Sequence, residues 1–416
     1  MTVSKPPAEN PTLAVDPLEI GPFADNPWAK WRQLMPIAQD WSYFDHAAVG
    51  PLSAPASRAM HQFVDQAARL GDTVWPEWAA NIETLRRSTA ELVGAQTSEI
   101  CMVPNTTSGI NLVAEGWPWQ AGDNIVIPDH EFPSNLFPWM NQQSKGVELK
   151  VVPLRVVKTA NGADEHQVHI DDLMSQVDTK TRMIALSWVG YASGYRIDLD
   201  SLVARAHDQG VLVFLDAIQG LGIYPLDVKK TPVDFLAADG HKWLLGPEGA
   251  GVAMIRREHQ DKIRCLNVGW ASVKNSYNYA QPAFDLRDTA ARFESGSANM
   301  AGIAALAANV EMFLKVREAQ GDNAIAQRII QQATRLHEML AEIGVPSRLP
   351  TDQANRSGIV TFDVPGVEPA AVRRSCLEQN VVLSCRGGGV RASVHAYNND
   401  EDLHRLVDVI QSVKAT

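Results

Sequence analysis

Short apolar runs alternate with helical patterns along the middle of the chain. The runs are nearly continuous in apolar residues, which is typical of strands buried on both faces. They are NIVIP (124–128), LKVVPL (149–154), MIALSW (183–188), VLVFLD (211–216), VDFLAAD (233–239) and GVAMI (251–255). Helical patterns such as LDSLVARAHDQG (199–210) lie between them. This alternation predicts an α/β protein with a mostly parallel sheet covered by helices.

The patterns on either side of this region differ from it. Residues 53–70 begin with Ser53 as a helix cap and predict a helix, and residues 78–95 predict another. In the last third, residues 299–343 predict two long helices. They are followed by three predicted strands (359–364, 381–385 and 390–396) and a closing helix (400–413). This α+β pattern predicts a smaller second domain.

These changes of pattern divide the chain into three predicted parts. Residues 1–46 form an N-terminal arm that packs with the small domain. Residues 47–297 form the large domain, and residues 298–416 form the small C-terminal domain. A binding site is expected between the two domains.

Composition narrows the classes of protein that remain. Lys and Arg number 37 against 48 Asp and Glu, a formal net charge of −11, which argues against nucleic-acid binding through general basic charge. No apolar run is long enough to span a membrane, and the polar, proline-rich N-terminus lacks the layout of a signal peptide. The four cysteines form no CxxC pair, so neither a disulfide framework nor a structural metal site is expected. We expect a cytoplasmic protein without a membrane or nucleic-acid partner.

The sharpest local feature is the segment ADGHKWLLGPEGAG (238–251). Lys242 follows a predicted strand by only a few residues, and an exposed turn lysine is the ordinary alternative. Asp216 ends the preceding predicted strand, where its ordinary role is a helix cap, and Gln219 follows it. In open α/β sheets, ligands bind at the carboxyl ends of the strands. Lys242 and Asp216 are therefore predicted to meet at one edge of the sheet.

Two further segments supply groups that a phosphorylated ring would need. Thr106, Thr107 and Ser108 begin a predicted helix, where free backbone N–H groups and the helix dipole favour a phosphate. Phe132 follows the strand at 124–128, so its ring could stack on a flat cofactor. Ordinary capping and core packing are the alternatives. Together with a lysine and a buried acid, these groups are what pyridoxal phosphate requires.

Six motifs occur in the order found in one family. They are YFDHAAVGP, NTTSGIN, FLDAIQ, DGHKWLLGPEG, FESGSAN and VRASVHAYNN. On them the chain resembles the class V aminotransferase superfamily from about residue 41 to the C-terminus. This group of pyridoxal-phosphate enzymes has fold type I and includes cysteine desulfurases, selenocysteine lyases and isopenicillin N epimerase. The resemblance implies a large mostly parallel-sheet domain and a smaller α+β domain.

The resemblance also implies roles for individual residues. Lys242 would form the Schiff base and move the α-proton, and Asp216 would pair with the pyridinium nitrogen. Gln219 would bind the phenolic oxygen of the cofactor, and Phe132 would stack on its ring. The phosphate would be bound by Thr106, Thr107 and His241, and by Ser297 of a partner subunit. Shared sites of this kind imply a homodimer.

The resemblance further implies that Arg391 grips the carboxylate of a small amino-acid substrate, as a bidentate arginine can. His46, Arg386 and Tyr191 are further candidates for substrate binding, each with an ordinary structural role as the alternative.

Three departures from the family bear on the reaction. Desulfurases place a histidine over the ring, where this chain has Phe132 with His130 close by. Their nucleophilic cysteine lies on a long loop, whereas Cys385 lies shortly before Arg391 and could simply end a buried strand. Asp239 stands where many relatives have a serine near the phosphate.

The sequence thus predicts a pyridoxal-phosphate enzyme acting on an α-amino acid by transamination or by lyase or epimerase chemistry at Cα. A cysteine desulfurase or selenocysteine lyase is one alternative. A non-catalytic binding protein on this fold is another. The amino acid itself is not predicted.

Overall fold

The computed structural model describes residues 23, 25–159 and 162–415. Half of the predicted N-terminal arm, residues 1–22 and 24, lies outside this part. The α-helices of the described residues are α1 (Pro27–Gln33), α2 (Ala54–Leu70), α3 (Trp75–Val93), α4 (Thr106–Gly116), α5 (Phe137–Asn141), α6 (Ile170–Ser175), α7 (Leu199–Asp208), α8 (Arg257–Gln260), α9 (Met300–Gln320), α10 (Ala324–Glu342), α11 (Pro369–Glu378) and α12 (Asp400–Lys414).

The strands are short, and most of those in the large sheet are buried. They are β1 (Ser42–Tyr43), β2 (Ile100–Val103), β3 (Asn124–Pro128), β4 (Glu148–Val152), β5 (Arg155–Lys158), β6 (Asp164–Gln167), β7 (Thr181–Ser187), β8 (Leu212–Asp216), β9 (Phe235–Asp239), β10 (Gly251–Ile255), β11 (Ser347–Arg348), β12 (Ile359–Phe362), β13 (Val381–Val382), β14 (Ser384–Arg386) and β15 (Gly389–Ser393).

The large sheet has seven strands in the order β2-β10-β9-β8-β7-β3-β4. From β9 to β4 neighbouring strands run parallel, and β10 is antiparallel to both β9 and β2. This confirms the predicted α/β class and its mostly parallel sheet. The sequence pattern does not predict β2 or the hairpin of β5 and β6, because β2 is only four residues long and β5 and β6 are polar or exposed.

The parallel strands end together at one edge of the sheet. Their last residues include Pro128, Ser187, Asp216 and Asp239. Ser187 lies directly opposite Asp216 in the register of β7 and β8. The loops that follow these residues are therefore brought together at that edge, where open α/β sheets bind ligands.

A second sheet, of order β11-β12-β15-β14, lies in the C-terminal part. Its hydrophobic core contains Phe44 and residues between Ala333 and Ile410. The N-terminal segment joins this unit, because β1 pairs with β13 and Asp45 bridges to Ser393. Helix α9 packs on α2 and α3 and shares the core of the large sheet. The domain boundaries at 46 and 297 stay predictions.

Among the described residues, no helix combines the length and apolarity needed to cross a membrane.

Candidate active site

Lys242 is a buried amine at the carboxyl edge of the large sheet. It follows β9 and is 9% exposed. Burial lowers the pKa of Lys242 to about 8, while the charge of Asp216 opposes that shift and Arg391 adds to it. Its Nζ lies 5.5 Å from the centroid of the Phe132 ring. The neutral, nucleophilic form of this amine is therefore far more populated near neutral pH than in an ordinary lysine.

The loop that carries Lys242 is held in an unusual conformation. Leu245 has a φ of 55°, which is rare for a residue with a side chain. The side-chain amide of Asn309 donates to the carbonyls of Leu244 and Leu245 and fixes this turn from helix α9. On the other side, a Cβ at Gly50 would lie 2.1 Å from the carbonyl oxygen of Lys242. Only glycine therefore allows the N-terminal segment to lie against the lysine loop.

Asp216 ends β8 and is buried beside Lys242. Its Oδ1 accepts a 3.1 Å hydrogen bond from the backbone N–H of Ile218. Burial raises the pKa of Asp216 to about 6, although that hydrogen bond and the nearby Lys242 oppose the shift. A cationic partner would stabilise this carboxylate.

Glu131 is a second acid at this edge that sequence reasoning missed. Its two carboxylate oxygens accept hydrogen bonds from the backbone N–H and the hydroxyl of Ser187, at 2.6 and 2.5 Å. Burial raises the pKa of Glu131 to about 7, and the charge of Asp216 adds to that shift. Its position one residue before Phe132, after a predicted strand, was the available signal.

The candidate phosphate site lies at the start of α4. Asn105 caps this helix, and Thr106 is its first residue. The Thr106 hydroxyl accepts a 2.9 Å hydrogen bond from the backbone N–H of Asp239, and Thr107 donates to Ser134 at 2.8 Å. Both hydroxyls are thus anchored beside the free N–H groups of the helix start.

Asp239 and His241 face each other at the same place. Oδ2 of Asp239 lies 3.0 Å from Nδ1 of His241. This contact is not a hydrogen bond, and among the described residues neither Nδ1 of His241 nor the buried Oδ1 of Asp239 has a hydrogen-bond partner. The imidazole of His241 thus lies directly beside the carboxylate whose charge would repel a phosphate at this place.

Phe132 lies at the mouth of the site and is 41% exposed. Its ring meets that of Tyr191 edge-on, with centroids 5.3 Å apart. The neighbouring His130 has an exposed side chain whose ring lies 5.6 Å from that of His166. Phe132, not His130, is therefore the aromatic group next to Lys242.

Gln219 is buried beneath the N-terminal segment. Its Nε2 donates a 3.0 Å hydrogen bond to the carbonyl of Ala47. The predicted cofactor contact thus lies in the same region as Asp216 and Lys242.

Arg391 reaches the site from strand β15 of the small sheet. It is 1% exposed, and its Nη1 donates to the carbonyl of Tyr191 at 2.7 Å. Nη2 lies 3.4 Å from Oδ1 of Asp45, and Nε has no hydrogen-bond partner in the part of the chain that the structure describes. Burial lowers the pKa of Arg391. Asp45 is a second residue that sequence reasoning missed, although it stands inside the YFDHAAVGP motif.

Arg386 and Cys385 lie on the neighbouring strand β14. Ser384 pairs with Arg391, and Cys385 pairs with the buried core residue Val390. Because side chains alternate along a strand, Ser384, Arg386 and Arg391 share one face and Cys385 lies on the other. Cys385, which is partly buried, is therefore directed away from the face that carries Arg391.

His46 lies behind the site in a buried aromatic cluster. Its Nδ1 is 2.8 Å from the carbonyl of Ser393, and its Nε2 is 2.8 Å from the Tyr397 hydroxyl. Its ring stacks on Trp243 with centroids 5.9 Å apart. Burial lowers the pKa of His46 to about 4. Both nitrogens have partners and the side chain is fully buried, which matches the ordinary structural role given above as the alternative, and the substrate contact of His46 stays a prediction.

Ser297 is exposed and lines a cavity of about 700 Å³ whose described lining does not include Lys242. Thr107 lines the same cavity, so one side of the phosphate site opens into it. Trp270 and Tyr277 add exposed aromatic side chains there.

The residues at this edge fit pyridoxal phosphate. They provide a buried amine with a lowered pKa and an exposed aromatic ring near it. They also provide the carboxylate of Asp216, which has no cationic partner at hydrogen-bond distance among the described residues. The orphaned polar atoms of His241 and Asp239 lie next to the helix start. When bound, pyridoxal phosphate supplies a ring that withdraws electrons from the substrate α-carbon.

Comparisons with known proteins agree with this fit. The family model for aminotransferase class-V matches residues 42–406. A probable cysteine desulfurase of Methanothermobacter thermautotrophicus is 28% identical, with 92% of this chain and 97% of that protein covered. One of Pyrococcus abyssi is 27% identical, with coverage of 92% and 96%.

Solved structures give the same result. The apo structure of a cysteine desulfurase from Thermococcus onnurineus is 26% identical and has a TM-score of 0.81, covering 92% of this chain and 97% of that one. The non-catalytic alternative is therefore not retained. The chain belongs to the aminotransferase class-V family and is a pyridoxal-phosphate-dependent enzyme.

Proposed function

We propose that this enzyme binds an α-amino acid at Arg391 and carries out chemistry at its Cα through a Schiff base on Lys242. The observation that carries the proposal is the position of Lys242. It is a buried amine with a lowered pKa, and the charges of both Asp216 and Arg391 act on that pKa. An amine between a ring-binding acid and a carboxylate-binding arginine is placed to act on the α-carbon.

Each side chain has a defined task in this proposal. Lys242 would hold the cofactor through Nζ, and the same atom would accept the α-proton of the substrate. Asp216 would hold a proton on the ring nitrogen, and that positive charge would relieve the cost of burying its own carboxylate. Gln219 would donate to the phenolic oxygen, and Phe132 would cover the ring.

Arg391 orients the substrate in this proposal. Its Nη1 is tied to Tyr191, while the buried Nε has no partner. Nε and Nη2 together offer a carboxylate two parallel N–H groups. Tyr191 and Arg386 border the space for the substrate side chain.

The homodimer is part of the same proposal. Ser297 lies away from its own Lys242, in a cavity whose exposed aromatic residues a second copy would cover. Ser297 of one subunit would then complete the phosphate site of the other. We also infer a cytoplasmic location, which the four free cysteines support.

For the reaction itself we propose cleavage of a C–S bond in a cysteine-type amino acid. The desulfurases named above support this choice. Cys385 lies on the face of β14 that is directed away from Arg391, so the sulfur would leave for solvent and not for Cys385.

Aminotransfer is the second candidate. Phe132 stands where desulfurases place a histidine, and its side chain cannot protonate a departing sulfur. This favours a reaction in which protons move only between Cα and Lys242.

The test is the absorption spectrum of the protein with bound pyridoxal phosphate while single amino acids are added. A visible band that Lys242→Ala removes and Lys229→Ala leaves intact supports the Schiff base. Sulfide released from cysteine, by the wild type and by Cys385→Ala alike, supports the lyase. Stable conversion to a near-ultraviolet form without sulfide supports aminotransfer. Absence of a visible band would refute the proposed function.

A further inference from the structure

Two arginine side chains share one face of the β14–β15 hairpin. Arg391 stands opposite Ser384, and Arg386 lies two residues beyond Ser384 on the same strand. Residues two apart on a strand point to the same side of the sheet. The face directed toward Lys242 therefore carries two guanidinium groups, and both influence the ionisation of Lys242.

Asp45 is the carboxylate that this pair of arginines faces. Within residues 25–159 and 162–415, it is the only acid at ion-pair distance from Arg391, and Arg386 has none. Its side chain is 17% exposed, and burial raises the pKa of Asp45 while both arginines oppose that shift. Its backbone is fixed by the bridge to Ser393, so the carboxylate belongs to the wall of the site.

The geometry of the pair leaves room for a ligand. The 3.4 Å separation of Asp45 Oδ1 and Arg391 Nη2 exceeds the length of about 2.8 Å that is typical of a strong charged hydrogen bond. The partnerless Nε of Arg391 stays available. A substrate carboxylate can bind Arg391 while Asp45 remains in place.

The net charge of Arg391, Arg386 and Asp45 determines which charge a substrate side chain can carry in this site. Two guanidinium groups and one carboxylate leave a single positive charge, which one α-carboxylate neutralises. A second anionic group on the substrate side chain would lie near Asp45 without a free positive charge. Without Asp45, the same two arginines would suit a dicarboxylic amino acid.

We infer that Asp45 is a specificity-determining residue that restricts this site to amino acids with an uncharged side chain and excludes dicarboxylic ones. The inference rests on the proposed function of Arg391. It also agrees with a cysteine-type substrate, whose side chain is neutral when its thiol is protonated.

The experiment compares the binding of propionate and succinate to the protein with bound pyridoxal phosphate, by calorimetry at low ionic strength. Neither acid has an amino group, so no turnover occurs. In Asp45→Asn, the ratio of the propionate Kd to the succinate Kd should rise at least about tenfold over the wild type. Adding Arg386→Gln to that variant should remove the gain.

Asp363→Asn is the matched control. Asp363 forms an ion pair with Arg348 of the same sheet, so this change also removes one carboxylate charge from beside an arginine. It should leave the ratio unchanged. Asp45→Ser repeats the test if asparagine disturbs the fold, as judged by circular dichroism and cofactor content.

A ratio that stays within twofold of the wild type in both Asp45 variants would overturn the inference, as would a gain that survives Arg386→Gln. The proposed function fails on a different result, the absence of the visible band that depends on Lys242. The two failures are therefore distinguishable.

Discussion

The indole Nε1 of Trp243 donates a 2.7 Å hydrogen bond to Oε1 of Gln219. An indole N–H can only donate, so the amide oxygen of Gln219 must face Trp243 and its NH₂ group must face the other way. One N–H of that group is bound to the Ala47 carbonyl. The hydrogen bond from Trp243 also fixes the direction of the second N–H of Gln219, which is the group proposed to bind the cofactor. Trp243 is thus a positioning residue.

Trp243→Phe should loosen this arrangement. The buried Gln219 oxygen would lose its donor, which costs about 1–3 kcal/mol in free energy of unfolding beyond the loss of packing. An amide free to turn should also raise the Kd for pyridoxal phosphate by about fivefold to tenfold, as expected for one hydrogen bond. Urea unfolding and a cofactor titration at the visible band measure the two effects.

Trp31→Phe is the control for that variant. Trp31 is fully buried, but within residues 23, 25–159 and 162–415 its Nε1 has no hydrogen-bond partner. It should lose packing energy while its Kd for pyridoxal phosphate stays at the wild-type value. Equal cofactor affinity in both variants would contradict the positioning role.

Replacing Lys242 by methionine should stabilise the cofactor-free protein at neutral pH. Native Lys242 has a pKa of about 8 against 10.5 for an ordinary lysine, so folding penalises its charged form. This penalty lowers the free energy of unfolding by on the order of 3 kcal/mol. It applies in full below pH 8 and declines as the pH rises toward 10.5.

Urea unfolding at pH 7 and pH 10 checks this expectation. Lys242→Met should gain stability over the wild type at pH 7 and little at pH 10. Lys229→Met, a change at an exposed lysine, should show no such pH dependence. A gain that is the same at both pH values would show that packing, and not charge, is responsible.

Asp216→Asn should raise the stability of the cofactor-free protein and lower the activity of the enzyme. Burial raises the pKa of Asp216 to about 6, so its ionised form destabilises the cofactor-free protein above pH 6 and not below pH 4. At pH 7.5 the variant should therefore unfold at higher urea concentration, with a gain on the order of 3 kcal/mol. Turnover should fall on the order of 100-fold, because the charge on the ring nitrogen is no longer supported.

Asp208→Asn removes an exposed carboxylate and should change neither property. Loss of stability in Asp216→Asn at pH 7.5 would mean that Asp216 already has a compensating partner in the folded chain.

The sequence predicts the part of this site that follows from strand ends. Lys242, Asp216 and Phe132 each follow an apolar run, and a parallel sheet brings such positions to one edge. Those predictions need only local pattern and one rule of topology. The structure places all three side chains at that edge.

The residues that escaped prediction depend on contacts between distant segments. Asp45 meets Arg391 only because β1 joins the small sheet and brings the N-terminal segment over the site. Glu131 acquires its partner only when β7 places Ser187 opposite Asp216. The direction of Cys385 follows from the register of a hairpin, which its sequence spacing from Arg391 does not specify.

Glu294 anchors the loop that carries Ser297. Its carboxylate accepts hydrogen bonds from Arg86 at 2.7 and 3.0 Å and from the backbone N–H of Met102 at 2.9 Å. Glu294→Gln would leave Arg86 buried without its main counter-charge. Breaking a buried pair from one side costs about 3–5 kcal/mol, so a loss of that order in urea unfolding is expected.

The effect of Glu294→Gln on the Ser297 loop distinguishes the Glu294–Arg86 pair from an ion pair that only stabilises the fold. With its anchor weakened, Ser297 should no longer be held for the partner subunit, and sedimentation should show dissociation at a higher protein concentration than for the wild type. Glu83→Gln is the matched control, because Glu83 contacts the same arginine with a side chain that is 59% exposed, and such pairs contribute at most about 1 kcal/mol. Equal effects of the two variants on subunit dissociation would contradict the anchoring role of Glu294.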